Sequence, residues 1–183
     1  MSVDREQVLR SAAALLTRRS TATMDEVARA AGISRATLHR HVAGRDALVR
    51  ALEILCIQEC EAALDAARLD AGPAADALRR LVREMEPAAP LLAFLTTENQ
   101  LFEGEEQNAG WERLDGRMVA LFRRGQETGE FRIDLTPAWL CEALYGLIGS
   151  AAWAVQDGRV AANDFSYMIT ELLLGGARRS VEP

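Results

Sequence analysis

The chain has 183 residues, of which 49% are hydrophobic, 26% charged and 5% aromatic. This length and composition exclude an intrinsically disordered chain, and they allow a core large enough to need no disulfide or metal. The formal net charge of −6 argues against non-specific binding of the whole chain to nucleic acid or anionic membranes.

The charge is unevenly distributed along the chain. Residues 1–50 carry nine arginines and five acidic residues, which gives a formal charge of +4. The remaining 133 residues carry twelve arginines and twenty-two acidic residues, a charge of −10. A basic N-terminal segment is therefore joined to an acidic body, and only the basic segment suits DNA.

Helical periodicity runs through most of the chain, and Ala and Leu outnumber the β-branched residues. We therefore predict an all-α fold: an N-terminal helix-turn-helix head of three helices on a larger helical body, about nine helices in total. The predicted helices cover residues 4–19, 24–30, 35–42, 45–69, 74–86, 88–101, 111–128, 137–156 and 161–175. A loop containing Gly104 and Gly110 is expected before the seventh helix.

Three local signals predict a helix-turn-helix between residues 23 and 42. Thr23 and Glu26 have the spacing of a capping box, in which each side chain accepts from the other's backbone N–H. Gly32 follows the short helix where a left-handed cap costs least, and Ser34 is a good N-cap for the next helix. Two short helices joined by such a turn, after a preceding helix, form this motif.

This segment reads TMDEVARAAGISRATLHRHV from Thr23 to Val42 and is followed by Arg45-Asp46-Ala47-Leu48. It resembles the tetracycline-repressor (TetR) family of bacterial transcription regulators over about the first 50 residues. The resemblance implies a DNA-binding domain at residues 1–46 and a ligand-binding and dimerisation domain at residues 47–183.

The resemblance also assigns residues to double-stranded DNA. Arg35, Ala36, Thr37 and Arg40 fall at base-facing positions, and arginine can donate two hydrogen bonds to guanine. The other expected DNA-binding residues are Thr23, Ser34, His39, His41 and Arg45, of which the last three fall at phosphate-facing positions. His39 and Val42 stand where the family commonly has Tyr and Phe, so an imidazole would replace a phenol hydroxyl at the phosphate.

The body is expected to form a homodimer through its last two helices. The helix from Pro137 is apolar almost all round and carries small residues, so it should pack against two layers. One layer is its own subunit, and the other is expected to be the same surface of a second chain. The residues expected at this interface are Gly146, Gly149, Ala152, Phe165, Ile169 and Leu172.

A small-molecule effector of unknown identity is expected in the body. Glu98 lies on a helix that otherwise looks inward, so a buried carboxylate there would favour a cationic or hydrogen-bond-donating effector. That Glu98 is simply exposed, and that the apolar residues are ordinary core, stays open. The expected effector-binding residues are Phe94, Glu98, Met118, Phe122, Leu144 and Tyr145.

Other functional classes find little support in the sequence. No nucleophile elbow, phosphate loop or dinucleotide fingerprint occurs, so no catalytic residue and no cofactor are expected. His39 and His41 point about 200° apart on a helix and cannot share a metal ion. Cys56, Cys60 and Cys141 form no redox or zinc motif, and we expect reduced, buried thiols in a cytoplasmic protein.

The uncharged stretch from Ala143 to Gln156 is shorter than a membrane span and contains two glycines and a serine, so no membrane partner is expected. The predicted function is that of a ligand-responsive repressor that binds a near-palindromic operator as a dimer and is released by a small-molecule effector. The alternative is a helix-turn-helix regulator without a small-molecule effector, controlled by a protein partner.

Overall fold

The computed structural model describes residues 4–98 and 105–177, and these ranges contain helices but no extended strand. A short 3₁₀ turn at Ala162–Asp164 precedes the last helix. The prediction of an all-α fold with about nine helices is confirmed. The helices are Arg5–Leu16 (α1), Met24–Ala30 (α2), Arg35–His41 (α3), Arg45–Ala67 (α4), Ala74–Met85 (α5), Ala89–Leu95 (α6), Glu105–Glu127 (α7), Pro137–Gln156 (α8) and Phe165–Ala177 (α9).

Helices α1 to α3 form the head, and side-chain caps fix where α2 and α3 begin. The Thr23 hydroxyl accepts from the backbone N–H of Glu26, whose carboxylate accepts from the backbone N–H of Thr23 at 2.8 Å. Gly32 takes a positive φ of 68° in the turn. Ser34 then accepts from the backbone N–H of Thr37 at 3.1 Å. The predicted helix-turn-helix is present with its predicted caps.

Helix α4 connects the head to the body. It has 23 residues and is roughly 35 Å long. Its first half packs against α1, and the helix also contacts α5, α6 and α7 of the body. It ends at Ala67, because Arg68 takes a left-handed conformation with φ 45°, slightly before the predicted end at residue 69.

The body is built in layers around α4 and α8. Helices α5 and α7 pack on α4, whereas α8 packs on α6, α7 and α9, and α9 also contacts α5. A continuous apolar core extends from the head into these layers. The face of α8 that points away from α6 and α7 is therefore set on the outside of the protomer.

Helices α6 and α7 depart from their predicted bounds. α6 ends at Leu95, because the hydroxyls of Thr96 and Thr97 donate to the carbonyls of Ala93 and Phe94 and close the last turn. The rest of the predicted helix, residues 99–101, lies outside the described residues, as does Gly104.

The expected loop at Gly110 is wrong, because α7 already begins at Glu105. Gly110 is a helical position where α4 and α7 approach closely, and a Cβ there would lie 2.9 Å from the side chain of Ile57. Helix α9 also differs, since it begins at Phe165 and ends at Ala177.

Candidate nucleic-acid interface, subunit interface and effector site

The short helix α3 presents one outward face to solvent. Arg35, Ala36, His39 and Arg40 are exposed, whereas Leu38 is buried in the head. Thr37 and His41 are half-buried at the edges of this face. We call the set Arg35, Ala36, Thr37, His39 and Arg40 the α3 face. It carries two permanent cations, and its shape as one helix side suits the major groove of DNA.

The two arginines of the α3 face differ in what holds them. The Arg35 guanidinium donates to the Asp25 carboxylate on α2 at 3.1 Å, so it must leave an ion pair to reach a base. Arg40 donates to the neutral Thr37 hydroxyl at 3.2 Å, and that hydroxyl lies 2.9 Å from the Ser34 hydroxyl. Among the residues that the structure describes, Arg40 therefore has no ion-pair partner, and its charge lies at the surface.

Thr23 and Ser34 have structural roles in the free protein. The Thr23 hydroxyl donates to Glu26 at 2.9 Å, and Ser34 caps α3. Neither oxygen is therefore held free for a phosphate. His39 and His41 lie in the last turn of α3. In the described part of the chain, no three metal-ligating side chains lie together.

The structure without DNA gives Arg45 protein partners, and its expected phosphate contact stays a prediction. Its Nη2 donates to the Ser20 carbonyl at 2.7 Å and to the Glu98 carboxylate at 3.0 Å, and its Nη1 donates to the Ala22 carbonyl at 3.1 Å. Only 33% of the side chain is exposed. The guanidinium is committed to protein acceptors, so Arg45 joins parts of the protein to one another.

The same contacts change the interpretation of Glu98, which was expected to bind the effector. The carboxylate is 19% exposed and its counter-ion is Arg45, so it needs no cation from an effector. The sequence offered Glu98 as an effector residue because no partner for the charge was visible within its own helix. The partner comes from 53 positions earlier in the chain.

The remaining expected effector residues lie in the core of the body. Phe94, Met118, Phe122 and Leu144 are at most 2% exposed, and they pack in the continuous apolar cluster. Tyr145 is partly buried, and its hydroxyl donates to Asp115 at 2.8 Å. Burial and the Asp115 charge raise the pKa of Tyr145 far above its usual range. Four surface grooves lined by described residues include none of these five side chains.

A buried acidic residue that the sequence analysis did not single out lies on α4. Glu53 is 1% exposed, and its carboxylate accepts from the indole N–H of Trp111 on α7 at 2.7 Å. Glu53 falls within the long apolar periodicity of α4, and that is the signal that could have identified it. Among the described residues, Glu53 is the buried charged side chain of the body.

The expected subunit interface is partly corrected. Phe165, Ile169 and Ala152 are 3%, 2% and 7% exposed, so they belong to the interior of the protomer. The apolar stripe of α9 that links Phe165 to Ile169 faces α5 and α8, not a second chain. Gly149 is half-buried and Gly146 is exposed.

The exposed apolar side chains of α8 and α9 overlap only in part with the residues predicted for the interface. Leu172 is 65% exposed, as predicted for an interface, and it is accompanied by large side chains that the prediction omitted. A groove of about 440 Å³ lies beside Trp139 and Leu172, and it is lined by α8, α9 and Leu135, which precedes α8. We define the α8–α9 face as Trp139, Gly146, Trp153, Tyr167, Met168 and Leu172.

Helix α8 is, by length and composition alone, able to cross a membrane. One third of its most apolar window is buried within the protomer. The exposed apolar residues of α8 belong to the α8–α9 face, and an exposed apolar surface of this kind marks an interaction site.

The three cysteines are buried and free, as expected. Burial, with Asp115 and Glu142 nearby, raises the pKa of the Cys141 thiol to about 12. A hydrogen bond with Cys60 and burial raise the pKa of Cys56 well above its usual value. Both thiols are therefore protonated near neutral pH, which argues against a nucleophilic role.

Comparison with known proteins shows that the chain is similar to a family of bacterial regulators. Residues 8–52 match the family described as bacterial regulatory proteins, tetR family. The HTH-type transcriptional regulator NfxB of Pseudomonas aeruginosa is 32% identical over 94% of this chain and 93% of its own length. The HTH-type transcriptional repressor LfrR of Mycolicibacterium smegmatis is 28% identical over 93% and 89%.

A solved structure agrees with these sequence matches. The crystal structure of the TetR-like regulator LfrR from Mycobacterium smegmatis in complex with proflavine has a TM-score of 0.77 at 25% identity, and 98% of each chain is covered. NfxB and LfrR are both described as transcriptional regulators.

Proposed function

Because the chain belongs to the tetR family of bacterial regulatory proteins, we propose that it is a cytoplasmic, homodimeric transcriptional repressor that an effector releases from its operator. Residues 1–46 act as the DNA-binding domain, and residues 47–183 act as the effector-binding and dimerisation domain. The α3 face carries this proposal, because it is an outward, cationic side of a capped helix within an N-terminal segment, residues 1–50, of formal charge +4.

The α3 face reads bases in the major groove. Arg40 donates to a guanine edge through a guanidinium that is held by a neutral hydroxyl, and Ala36 and Thr37 contact neighbouring base edges. His39 and His41 supply phosphate contacts through imidazole N–H groups. Arg35 joins them once DNA displaces its bond to Asp25.

A second copy of the chain covers the α8–α9 face. The large exposed side chain of Trp139 lines a groove that Gly146 and Gly176 also line, so a projecting side chain and a recess occur on one surface. Such a surface can be self-complementary about a two-fold axis. The two heads are then placed to reach successive major grooves of a near-palindromic site.

Effector release follows from the connection of head to body. The pair between Arg45 and Glu98 ties the start of α4 to the end of α6, and α4 runs from there through the body. An effector that separates the packed side chains of α6, α7 and α8 moves this tie and changes the spacing of the heads. It needs to bind one arrangement more tightly than the other.

The effector is an aromatic compound with a cationic or hydrogen-bond-donating group. Glu53 is a buried carboxylate that accepts from the indole N–H of Trp111, and a donor group of an effector inserted beside this ring bonds to the same carboxylate. Phe94, Met118, Phe122, Leu144 and Tyr145 enclose the rest of the compound after rearrangement. The LfrR structure contains proflavine, which supports an aromatic effector.

Selection from random DNA tests the regulatory function. Purified protein incubated with random duplexes should enrich one sequence with two-fold symmetry, bound by two chains. Enrichment of no sequence, or of one without symmetry, contradicts the proposal.

Proflavine serves as the effector probe on the selected operator. It should release the wild-type protein, and Glu53→Gln should require more proflavine, whereas Glu84→Gln, at an exposed acidic position of α5, should respond like the wild type. Equal response of all three proteins contradicts the role of Glu53 and leaves the DNA-binding proposal standing.

A further inference from the structure

A groove of about 400 Å³ lies at the joint between the head and the body. Helix α1 forms one wall, while α4, α6 and the end of α8 form the others. Its volume is in the range of small-molecule sites. The groove lies outside the five core side chains assigned to the effector, none of which lines it.

The floor of this joint groove is apolar and built from small and branched side chains. Ala13 and Ala14 on α1 and Ala152 on α8 are the small residues that leave this space. Such a floor accepts an aliphatic or aromatic body of modest size. The apolar lining that matters here is Ala13, Ala14, Leu55, Leu91, Ala152 and Val155.

The rim of the joint groove carries one arginine, Arg18, without an ion-pair partner among the described residues. The other charged residues of the lining, Arg10 and Glu59, pair with each other at 2.9 Å, and Arg10 also pairs with Glu6 on α1. Arg18 is exposed, and no hydrogen bond or ion pair joins its side chain to any residue that the structure describes. Gln156 adds an amide donor at the opposite wall.

We propose that the joint groove is a second ligand site, distinct from the effector site, for a small apolar monoanion such as a medium-chain carboxylate. The carboxylate pairs with Arg18, and the chain or ring lies on the floor between α1 and α8. An anion is selected over a cation because Glu59 is already paired with Arg10, whereas Arg18 has no counter-ion in the part of the chain that the structure describes.

Ligand at this site contacts the head through α1 and the body through α6 and α8. The affinity of this ligand depends on how the head and the body are placed relative to each other, and so does operator affinity. By linkage, the ligand changes operator affinity by the same factor by which operator DNA changes the affinity for the ligand. This second site would let an anion adjust the regulator independently of the core effector.

Calorimetric titration with decanoate tests the proposal, with decyltrimethylammonium as the cationic control. Decanoate should bind one site per chain, and the cation should neither bind there nor compete. Arg18→Gln should weaken decanoate at least about tenfold, whereas Arg18→Lys should stay within about threefold because the charge is retained.

Two further variants locate the ligand. Ala14→Trp fills the groove from an exposed position of α1 and should abolish binding, whereas Arg79→Gln, a charge removal on α5, should leave it unchanged. Absence of binding at roughly 1 mM decanoate overturns the proposal. If Arg18→Gln and Ala14→Trp both bind decanoate as tightly as the wild type, the proposal is also overturned, because the ligand would then lie elsewhere.

Discussion

Arg45 and Glu98 form a partly buried ion pair, 3.0 Å long, between the first residue of α4 and the segment that follows α6. The same guanidinium donates to the carbonyls of Ser20 and Ala22, which precede α2. One side chain therefore holds together the head, the connecting helix and the body. Movement of α6 would reach the head through this contact.

A double-mutant cycle with Arg45→Gln and Glu98→Gln measures the strength of that contact. We expect a coupling of about 1 kcal/mol in the free energy of unfolding, because the pair is partly shielded from solvent. The exposed pair of Asp76 and Arg79 on α5 is the control and should couple by about 0.3 kcal/mol.

The salt dependence of operator binding gives a second test of Arg45. Because its donors are bound to protein acceptors, Arg45→Gln should leave the slope of log affinity against log salt unchanged. A coupling no larger than that of the control pair, or a slope lowered by about 1, contradicts this assignment.

Charge substitutions separate the interface of the dimer from the interior of the protomer. Leu172→Glu should give a folded monomer, since Leu172 is 65% exposed in the protomer but becomes buried in a dimer. Ile169→Glu, three positions earlier, should unfold the chain because Ile169 is 2% exposed.

Sedimentation and thermal unfolding distinguish these outcomes. Ile133→Glu, at an exposed apolar position outside the α8–α9 face, is the control and should remain dimeric. A monomeric wild type at micromolar concentration, or a dimeric Leu172→Glu, contradicts the proposed interface.

Much of the head was predictable from the sequence because its signals are local. The capping box at Thr23 and the caps at Gly32 and Ser34 each depend on residues within a few positions. The start of α8 was predicted correctly for the same reason, since Thr136 as N-cap and Pro137 as first helical residue specify it. Site residues within the head remain predictions that only DNA binding can test.

What the sequence did not reveal depends on distant contacts. Periodicity placed Ile169 and Leu172 on one stripe, but only the packing of α9 on α5 and α8 decides which of them faces outward. Arg45 and Glu98 were given separate roles because 53 positions separate them. Gly110 was assigned to a loop because its close approach to Ile57 was not visible in the sequence.

Gly125 and Gly116 on α7 form a matched pair for testing the packing of the body. A Cβ on Gly125 would lie 2.1 Å from the ring of Phe131, which is 1% exposed and cannot withdraw. Gly125→Ala should therefore lower the free energy of unfolding by about 1–3 kcal/mol.

The control is Gly116→Ala, because nothing lies within 4 Å of a Cβ at that position. Alanine favours the helix there and should raise the free energy of unfolding by up to about 1 kcal/mol. Chemical denaturation of both variants compares them directly, and equal effects in the same direction would contradict the described position of Phe131.

Glu130 caps α5 from a distant part of the chain, and this gives a pH prediction. Its carboxylate accepts from the backbone N–H groups of Ala74 and Ala75 at 2.9 and 3.0 Å. Burial alone would raise the pKa of Glu130, but these bonds, with Thr128 and Arg124, hold it below its usual value of 4.5.

A carboxyl group whose pKa is lower in the folded than in the unfolded protein stabilises the folded state at pH values above the unfolded-state pKa. This stabilisation is lost as the pH falls through the pKa of the folded state. Glu130→Gln should thus cost about 1 kcal/mol near pH 7. The difference from wild type should shrink below about pH 4.5. Denaturation at several pH values measures it, and a difference independent of pH would argue against a charged cap.

The most direct test of the central claim is the effect of Arg40→Ala on the selected operator and on random DNA, measured over a range of salt concentrations. If α3 reads bases, the substitution should cost about 1–3 kcal/mol on the operator, relax the preference at one base pair in each half-site, and leave affinity for random DNA nearly unchanged. Equal loss on operator and random DNA would contradict the claim, because Arg40 would then be a phosphate contact and base reading would lie elsewhere.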